Sequence, residues 1–287
     1  MPELPEVETV RRGLAPVLEG ARIARVQLNR PDLRFAFPER FAARLEGAGV
    51  RALGRRAKYL LAHLDTGETL IAHMGMSGRF SVVRDGQASG FGDYVYDTGA
   101  DPKHDHVLIH LEDTTSIIFN DPRRFGYMDL ARTGTIESCV HFARMGPEPL
   151  GNGFNGAVLG QALAGRRSPV KLALLDQRIV AGLGNIYVCE ALFRARISPL
   201  RLAGEVTAAE AEALASAIRA VLEEAISAGG STLRDFAAAD GTLGGFQERF
   251  DVYGREGEPC SCGSHTGVVE RFTQGGRSTF WCPACQR

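Results

Sequence analysis

The densest chemistry in this sequence lies near its end, where Cys260-Ser-Cys262 is followed by 19 residues and then by Cys282-Pro-Ala-Cys285. Thiolates are soft ligands, and two close pairs bridged by a short β-like segment supply the four corners of a tetrahedral structural Zn2+ site. The second pair has the usual two-residue spacing. Only one residue separates Cys260 from Cys262, so His265 stays open as a substitute second ligand. In a reducing compartment such a cluster is a metal site and not a pair of disulfides. Gly276-Arg277-Ser278-Thr279 falls at the tip between the pairs, where a guanidinium can reach a phosphate or a groove; a solvated turn arginine is the plainer alternative.

Four further clusters carry weaker signals. In "DPRRFGYM" (121–128) Asp-Pro favours a turn, and Arg123 with Phe125 offers a guanidinium for base edges and a ring for a wedge, although a packed hairpin accounts for it as well. "HMGMSGRF" sets Met76 between Gly75 and Ser77; its flexible apolar chain suits either a core edge or a gap in a duplex. "GLGNIYVCE" opens a helix at Asn185, as a plain cap or as part of a phosphate cradle. In "HDH", His104 and His106 share one face of a strand without an evident third ligand, which favours hydrogen bonding or a phosphate over a metal.

These residues need elements to hold them. The opening "MPELPEVETVRRGL" predicts a helix from about Pro5 to Gly13, with Val7, Val10 and Leu14 on one face and a proline in the first turn. From about 20 to 135, short alternating runs punctuated by glycine predict a sandwich or curled antiparallel sheet. "GPEPLGNGFNG" is a linker, and the text then turns helical, with a capping box at Thr207 and Glu210 and a stop at Gly229-Gly230. The polar, glycine-bearing segment around 236–250 suits a mobile surface loop.

Composition narrows the function classes. The 287 residues are 44% hydrophobic and 23% charged, with no long apolar run, as expected of a soluble chain with a sizeable core. The acidic, proline-broken start does not fit a secretory signal, so a cytoplasmic location without a membrane is expected. Net charge is −1, yet residues 1–60 carry 12 Lys and Arg against 7 Asp and Glu, while residues 205–240 carry 2 against 7. Such lopsidedness allows a polyanion on one face. Lys58, Lys103 and Lys171 are the only lysines.

Eight landmarks in one order, "PELPEVET", "GRRAKYL", "HMGMSG", "KHDHV", "DPRRFG", "GLGNIY", "VYGREGEPC" and "GRSTFWCPACQ", span essentially the whole chain. Together they resemble the bacterial formamidopyrimidine-DNA glycosylase family. The resemblance implies an α+β fold: a two-layer antiparallel β-sandwich with an N-terminal helix (1–135), a linker (136–156), a helix–two-turn–helix domain (157–245) and a β-hairpin zinc finger (246–287). It implies a monomer that excises 8-oxoguanine and formamidopyrimidines from double-stranded DNA containing oxidised purines, then cleaves the strand by β- and δ-elimination. Pro2, freed of Met1, is implied as the nucleophile, Glu3 as the proton-transfer group and Glu6 as a group that holds the terminus. Lys58 and Arg277 are implied as further catalytic residues that contact phosphates at the lesion, Asn185 as a phosphate clamp, His73 and His106 as DNA-binding residues, and Lys171 as a DNA-binding residue near the lesion pocket. Met76, Arg123 and Phe125 are implied to fill the vacated stack, and Cys260, Cys262, Cys282 and Cys285 to hold zinc. Leu4 argues against the endonuclease VIII branch, and retention of Pro2 and Glu3 against a non-catalytic DNA-binding derivative.

Overall fold

Helix α1 (Leu4–Leu18) buries Leu4, Val7, Val10, Leu14, Val17 and Leu18, the stripe that an amphipathic helix presents to a core. The computed structural model describes residues 2–84, 87–88, 101–231, 244–263 and 266–287. The helix runs past the expected end near Gly13 and continues through Pro16. Pro16 lacks one amide donor only two residues before the helix ends, and burial of Val17 and Leu18, each 6% exposed, outweighs that loss.

Contacts divide the chain into two units, residues 1–143 with 228–245, and residues 144–227 with 246–287. In the first, α1 is followed by β1 (Ile23–Leu28), α2 (Phe41–Leu45), β2 (Val50–Arg56), β3 (Tyr59–Leu64), β4 (Glu68–His73), β5 (Arg79–Arg84), β6 (Gln87–Ala88), β7 (Asp105–Leu111), β8 (Thr115–Asn120) and β9 (Tyr127–Arg132). They form two antiparallel sheets, ordered β1-β7-β8-β5-β6 and β2-β3-β4-β9. One hydrophobic core takes residues from α1, α2 and both sheets, including Val10, Leu14, Phe41, Leu60, Ala72, Val107, Ile117 and Met128. This is the sandwich that the alternating runs predict, and β7 shows the reason: Val107, Ile109 and Leu111 point inward at every second position.

The second unit holds α3 (Gly156–Leu163), α4 (Val170–Leu174), α5 (Asn185–Arg194), α6 (Ala208–Ser227) and a hairpin of β10 (Glu270–Gln274) with β11 (Arg277–Trp281). Thr207 and Glu210 close the expected capping box: the Thr207 amide donates to Glu210 Oε2 at 2.8 Å and the Glu210 amide to Thr207 Oγ1 at 3.3 Å. Beyond α6, Gly229 and Gly230 take φ of +76° and +81°, which glycine adopts at no steric cost. The segment "SPVKLALLDQ" forms only the five-residue α4, because Gln177 closes a turn with the Leu175 and Leu183 carbonyls and the Gly182 amide. Of the expected loop at 236–250, residues 236–243 and also His265 lie outside the described residues; Phe246–Arg249 is a short tight turn with Phe246 buried. Among the described residues no helix is long and apolar enough to cross a membrane.

Candidate functional site

Pro2 and Glu3 directly precede α1, and residues 2–7 are all buried. Glu3 caps the helix and forms a reciprocal capping box with Glu6, whose Oε2 accepts the Glu3 amide at 2.8 Å. Glu6 Oε1 also accepts the Ser231 amide at 2.9 Å and the Ser231 hydroxyl at 3.0 Å. One buried carboxylate thus ties the chain start to residue 231. The sequence marks Glu6 as a holder of the terminus but does not reveal Ser231, which lies 225 residues away.

The turn between β2 and β3 carries Lys58, which is 7% exposed. Arg55 links this turn to α1, with Nε 3.4 Å from Glu8 Oε2 and Nη1 donating to the Ala57 carbonyl at 2.9 Å. Sheet register then aligns Tyr59, His73 and Tyr127 in one row across β3, β4 and β9. His73 stacks on Tyr127 with ring centroids 5.2 Å apart and tilts against Tyr59 at 4.9 Å, while the two phenol oxygens lie 2.7 Å apart. His141, its Nε2 2.7 Å from Asp129 Oδ2, flanks the same rings. Tyr59, Tyr127 and His141 are parts of this cluster that motif reading did not single out. Alternation places Tyr59 and Tyr127 on a common face only once the strand register is known.

Burial, reinforced by the charges of Lys58, Arg34 and His141, pulls the His73 imidazole from an ordinary 6.5 down to about 4. Nδ1 accepts the Gly75 amide at 3.0 Å, so a neutral ring carries its proton on Nε2. The unfolded ring protonates near 6.5 and the folded ring near 4. The associated stabilisation is therefore complete above pH 6.5 and is lost as pH falls towards 4, at up to about 1.4 kcal/mol per pH unit. Urea unfolding between pH 4 and 7 checks this. His73→Asn keeps an acceptor for Gly75 but does not titrate, so it flattens the dependence; parallel curves for the two proteins would refute the assignment.

Met76 and the 121–126 turn are built as one knot. Ser77 Oγ donates to Asp121 Oδ1 at 2.6 Å, the Arg123 amide to Ser77 Oγ at 3.2 Å and the Gly126 amide to Asp121 Oδ2 at 2.8 Å. Gly75 has φ of +62°, and a Cβ there would lie 2.3 Å from the Phe125 carbonyl carbon. From this rigid base Met76 and Phe125 project, 38% and 41% exposed, and the Arg123 guanidinium sits 4.9 Å from the Phe125 ring centre. His106 is buried beneath the turn, its Nε2 2.9 Å from the Asp121 carbonyl, and so holds the turn from inside. Asp121→Ala strands the donors of Ser77 and Gly126. Urea unfolding is expected to show a loss of roughly 2–3 kcal/mol, with Asp121→Asn losing less.

In the second unit Asn185 opens α5 with Nδ2 donating to the Ser278 carbonyl at 2.9 Å and to the Tyr253 hydroxyl at 3.3 Å. Its Oδ1 is buried and has no hydrogen-bond partner among the described residues. Lys171, fully buried, donates from Nζ to the same Ser278 carbonyl at 3.2 Å and to Thr279 Oγ1 at 2.7 Å. Burial, together with the nearby Arg277 charge, lowers its ammonium below the usual lysine range. Two side chains thus converge on the residue after Arg277, which is exposed at the start of β11. Glu190, also fully buried, accepts the amides of Asp251, Val252 and Tyr253 at 2.8, 3.1 and 2.8 Å and so fixes the approach to the hairpin.

The thiols of Cys260, Cys262 and Cys285 lie within 4.8 Å of one another, and Cys260 Sγ is 3.8 Å from Cys285 Sγ. Cys282 is buried in the same cluster. A tetrahedron with metal–sulfur bonds of about 2.3 Å has edges of about 3.8 Å, so the thiol spacing fits a metal ion. Burial pushes the Cys260 thiol up to about 11 and raises Cys285 as well. A bound cation reverses that effect by stabilising the thiolates.

The chain matches the profile of the formamidopyrimidine-DNA glycosylase N-terminal domain over residues 1–128 and that of the formamidopyrimidine-DNA glycosylase H2TH domain over 145–237. Among curated relatives, a formamidopyrimidine-DNA glycosylase of Ruegeria pomeroyi is 60% identical and one of a Bradyrhizobium strain 56% identical, each over 100% of both chains. Among solved structures, the Thermus thermophilus MutM (Fpg) protein superposes with a TM-score of 0.85 at 41% identity over 99% of this chain and 98% of that one. The Lactococcus lactis Fpg in complex with abasic-site DNA does so with a TM-score of 0.86 at 32% identity over 100% of both. Profiles that cover both the sandwich and the helical segment, and relatives that match from end to end, lead to one conclusion: the chain belongs to the formamidopyrimidine-DNA glycosylase family.

Proposed function

We propose that this DNA-repair glycosylase is bifunctional, excising 8-oxoguanine and formamidopyrimidines from duplex DNA and then cleaving the abasic strand. Excision of Met1 uncovers the secondary amine of Pro2, which sits at the positive end of α1; a terminal amine, unlike an ordinary lysine, keeps an unprotonated fraction near neutral pH. The amine attacks C1′ of the damaged nucleotide. The glycosidic bond breaks, the base leaves with a proton, and Glu3 protonates the sugar ring oxygen as the ring opens to an iminium. That iminium withdraws electrons, so loss of a C2′ proton expels the 3′ phosphate and a second elimination expels the 5′ phosphate. Water then releases the sugar remnant and restores the amine.

The observation that carries this reading is the Glu3–Glu6–Ser231 arrangement, which fixes the chain start beside a buried carboxylate. Each unit supplies its own DNA-facing groups. In the first, Lys58 and His73 serve a phosphate at the lesion, and Met76, Arg123 and Phe125 fill the place of the extruded nucleotide, with His106 supporting their turn. In the second, Asn185 and Arg277 hold flanking phosphates, and Lys171 acts through the strand that bears Arg277. Zn2+ on Cys260, Cys262, Cys282 and Cys285 fixes that strand. The abasic-site DNA held by the Lactococcus lactis relative supports the same partner here.

Borohydride trapping tests the reading, because hydride reduces the imine to a stable amine and joins protein to DNA. Duplexes with 8-oxoguanine are expected to trap well and duplexes with an oxidised pyrimidine poorly. Reversal of that order would overturn the lesion assignment, and no trapping on either duplex would overturn the lyase.

A further inference from the structure

Phe35 stands beside the Met76–Phe125 knot without an assigned role. The tight turn that carries it is closed by pairing of Asp32 with Ala36 and by the Leu33 amide donating to the Phe35 carbonyl at 3.0 Å, while Leu33 is buried in the core. The Arg34 amide donates to the Gly126 carbonyl at 3.1 Å, which fastens this turn to the one bearing Arg123 and Phe125. Gly75 also lies close against the backbone of Phe125 and Gly126. Three backbone segments therefore join at one point, and each carries an exposed apolar side chain: Phe35, Met76 and Phe125.

Phe35 is the most exposed of the three, at 56% against 38% and 41%. Its ring meets Tyr127 edge to face, with centroids 5.2 Å apart at 74°, a contact that favours this orientation of the ring. The exposed Arg34 guanidinium lies 5.4 Å from its centre, repeating the Arg123–Phe125 arrangement. Arginine beside an aromatic face suits a nucleotide: the ring meets a base or sugar, and the cation a phosphate.

We infer that Arg34 and Phe35 form a second arginine–phenylalanine contact to duplex DNA, flanking the place where Phe125 enters. The inference rests on the functional reading above, and continuity with the Met76–Phe125 surface is what identifies DNA as the occupant. Phe35 provides apolar contact with a neighbouring nucleotide, and Arg34 adds a phosphate contact.

The test is the dissociation constant for a duplex with a stable tetrahydrofuran abasic analogue, measured against salt, for the wild type, Phe35→Ala, Phe35→Trp and Arg34→Ala. Phe35→Ala is expected to weaken binding by roughly 5- to 20-fold with an unchanged melting temperature, and Phe35→Trp to bind within about twofold of the wild type. Arg34→Ala should lower the salt slope by about 1. Wild-type affinity in Phe35→Ala overturns the inference, as does a loss that follows a fall in melting temperature. A change in sedimentation without a change in DNA affinity overturns it too, since the surface would then cover a second copy of the chain. Failure of the wild type itself to bind the duplex contradicts the functional reading and this inference with it.

Discussion

Pro2→Gly is expected to excise 8-oxoguanine at least about a hundredfold more slowly than the wild type while melting at the same temperature. Glycine keeps a terminal amine, so the loss measures what the ring contributes: a secondary amine whose nitrogen the ring holds in a fixed orientation about the N–Cα bond. The hydrogen bond from the Glu3 amide to Glu6 survives the substitution, and so does the tie from Glu6 to Ser231. Glu3→Gln separates the two chemical stages. With Glu3 as the proposed proton donor for ring opening, its loss is expected to lower excision by a comparable factor. Strand cleavage at a ready-made abasic site, part of which is already an open aldehyde, falls much less. Single-turnover rates on the two substrates check this, and equal losses on both would mean that Glu3 acts by holding the terminus.

The second large effect concerns the metal. Cys282→Ser is expected to lower bound zinc from about one ion per chain to near zero and to weaken DNA binding by at least about a hundredfold. The small core beneath the hairpin consists of Cys189, Phe193, Val252, Cys260, Val269, Phe280 and Cys282, so two of the four thiols proposed to hold zinc are themselves core. Too little apolar surface remains to hold β10 and β11 without a cross-link. When β11 loosens, Arg277 loses its place and Asn185 loses the Ser278 carbonyl that orients it. If Arg277 and Asn185 each make a charge-assisted phosphate contact, as proposed, the two contacts at roughly 1.5–3 kcal/mol each account for the predicted loss. Metal analysis and a binding titration on the same sample check it, and undiminished DNA affinity in a zinc-free protein would show the hairpin to be dispensable.

What the sequence makes legible is local. Alternation in "HVLIHLE" yields β7, Thr207 with Glu210 yields the start of α6, and two cysteine pairs yield a thiol cluster. Each signal depends on neighbours within one element or one hairpin. The joins between distant segments stay hidden, because hydrogen bonds between residues 6 and 231, or between 77 and 121, leave no periodicity in the text. Burial is hidden for the same reason. The motifs of His106 and Lys171 give no sign of their depth, yet one lies beneath the 121–126 turn and the other reaches the Ser278 carbonyl from inside. Phe35 attracts no notice in sequence, since a phenylalanine near a proline is unremarkable until its ring is seen to stand out of the surface.

The proposed chemistry makes the chain's own second residue the nucleophile. The most direct test is to trap the wild-type protein on an 8-oxoguanine duplex with borohydride, digest the complex and locate the DNA remnant by peptide mass. A remnant is expected on the amine of Pro2, in a peptide lacking Met1. A remnant on Lys58, Lys171 or any other residue would contradict it.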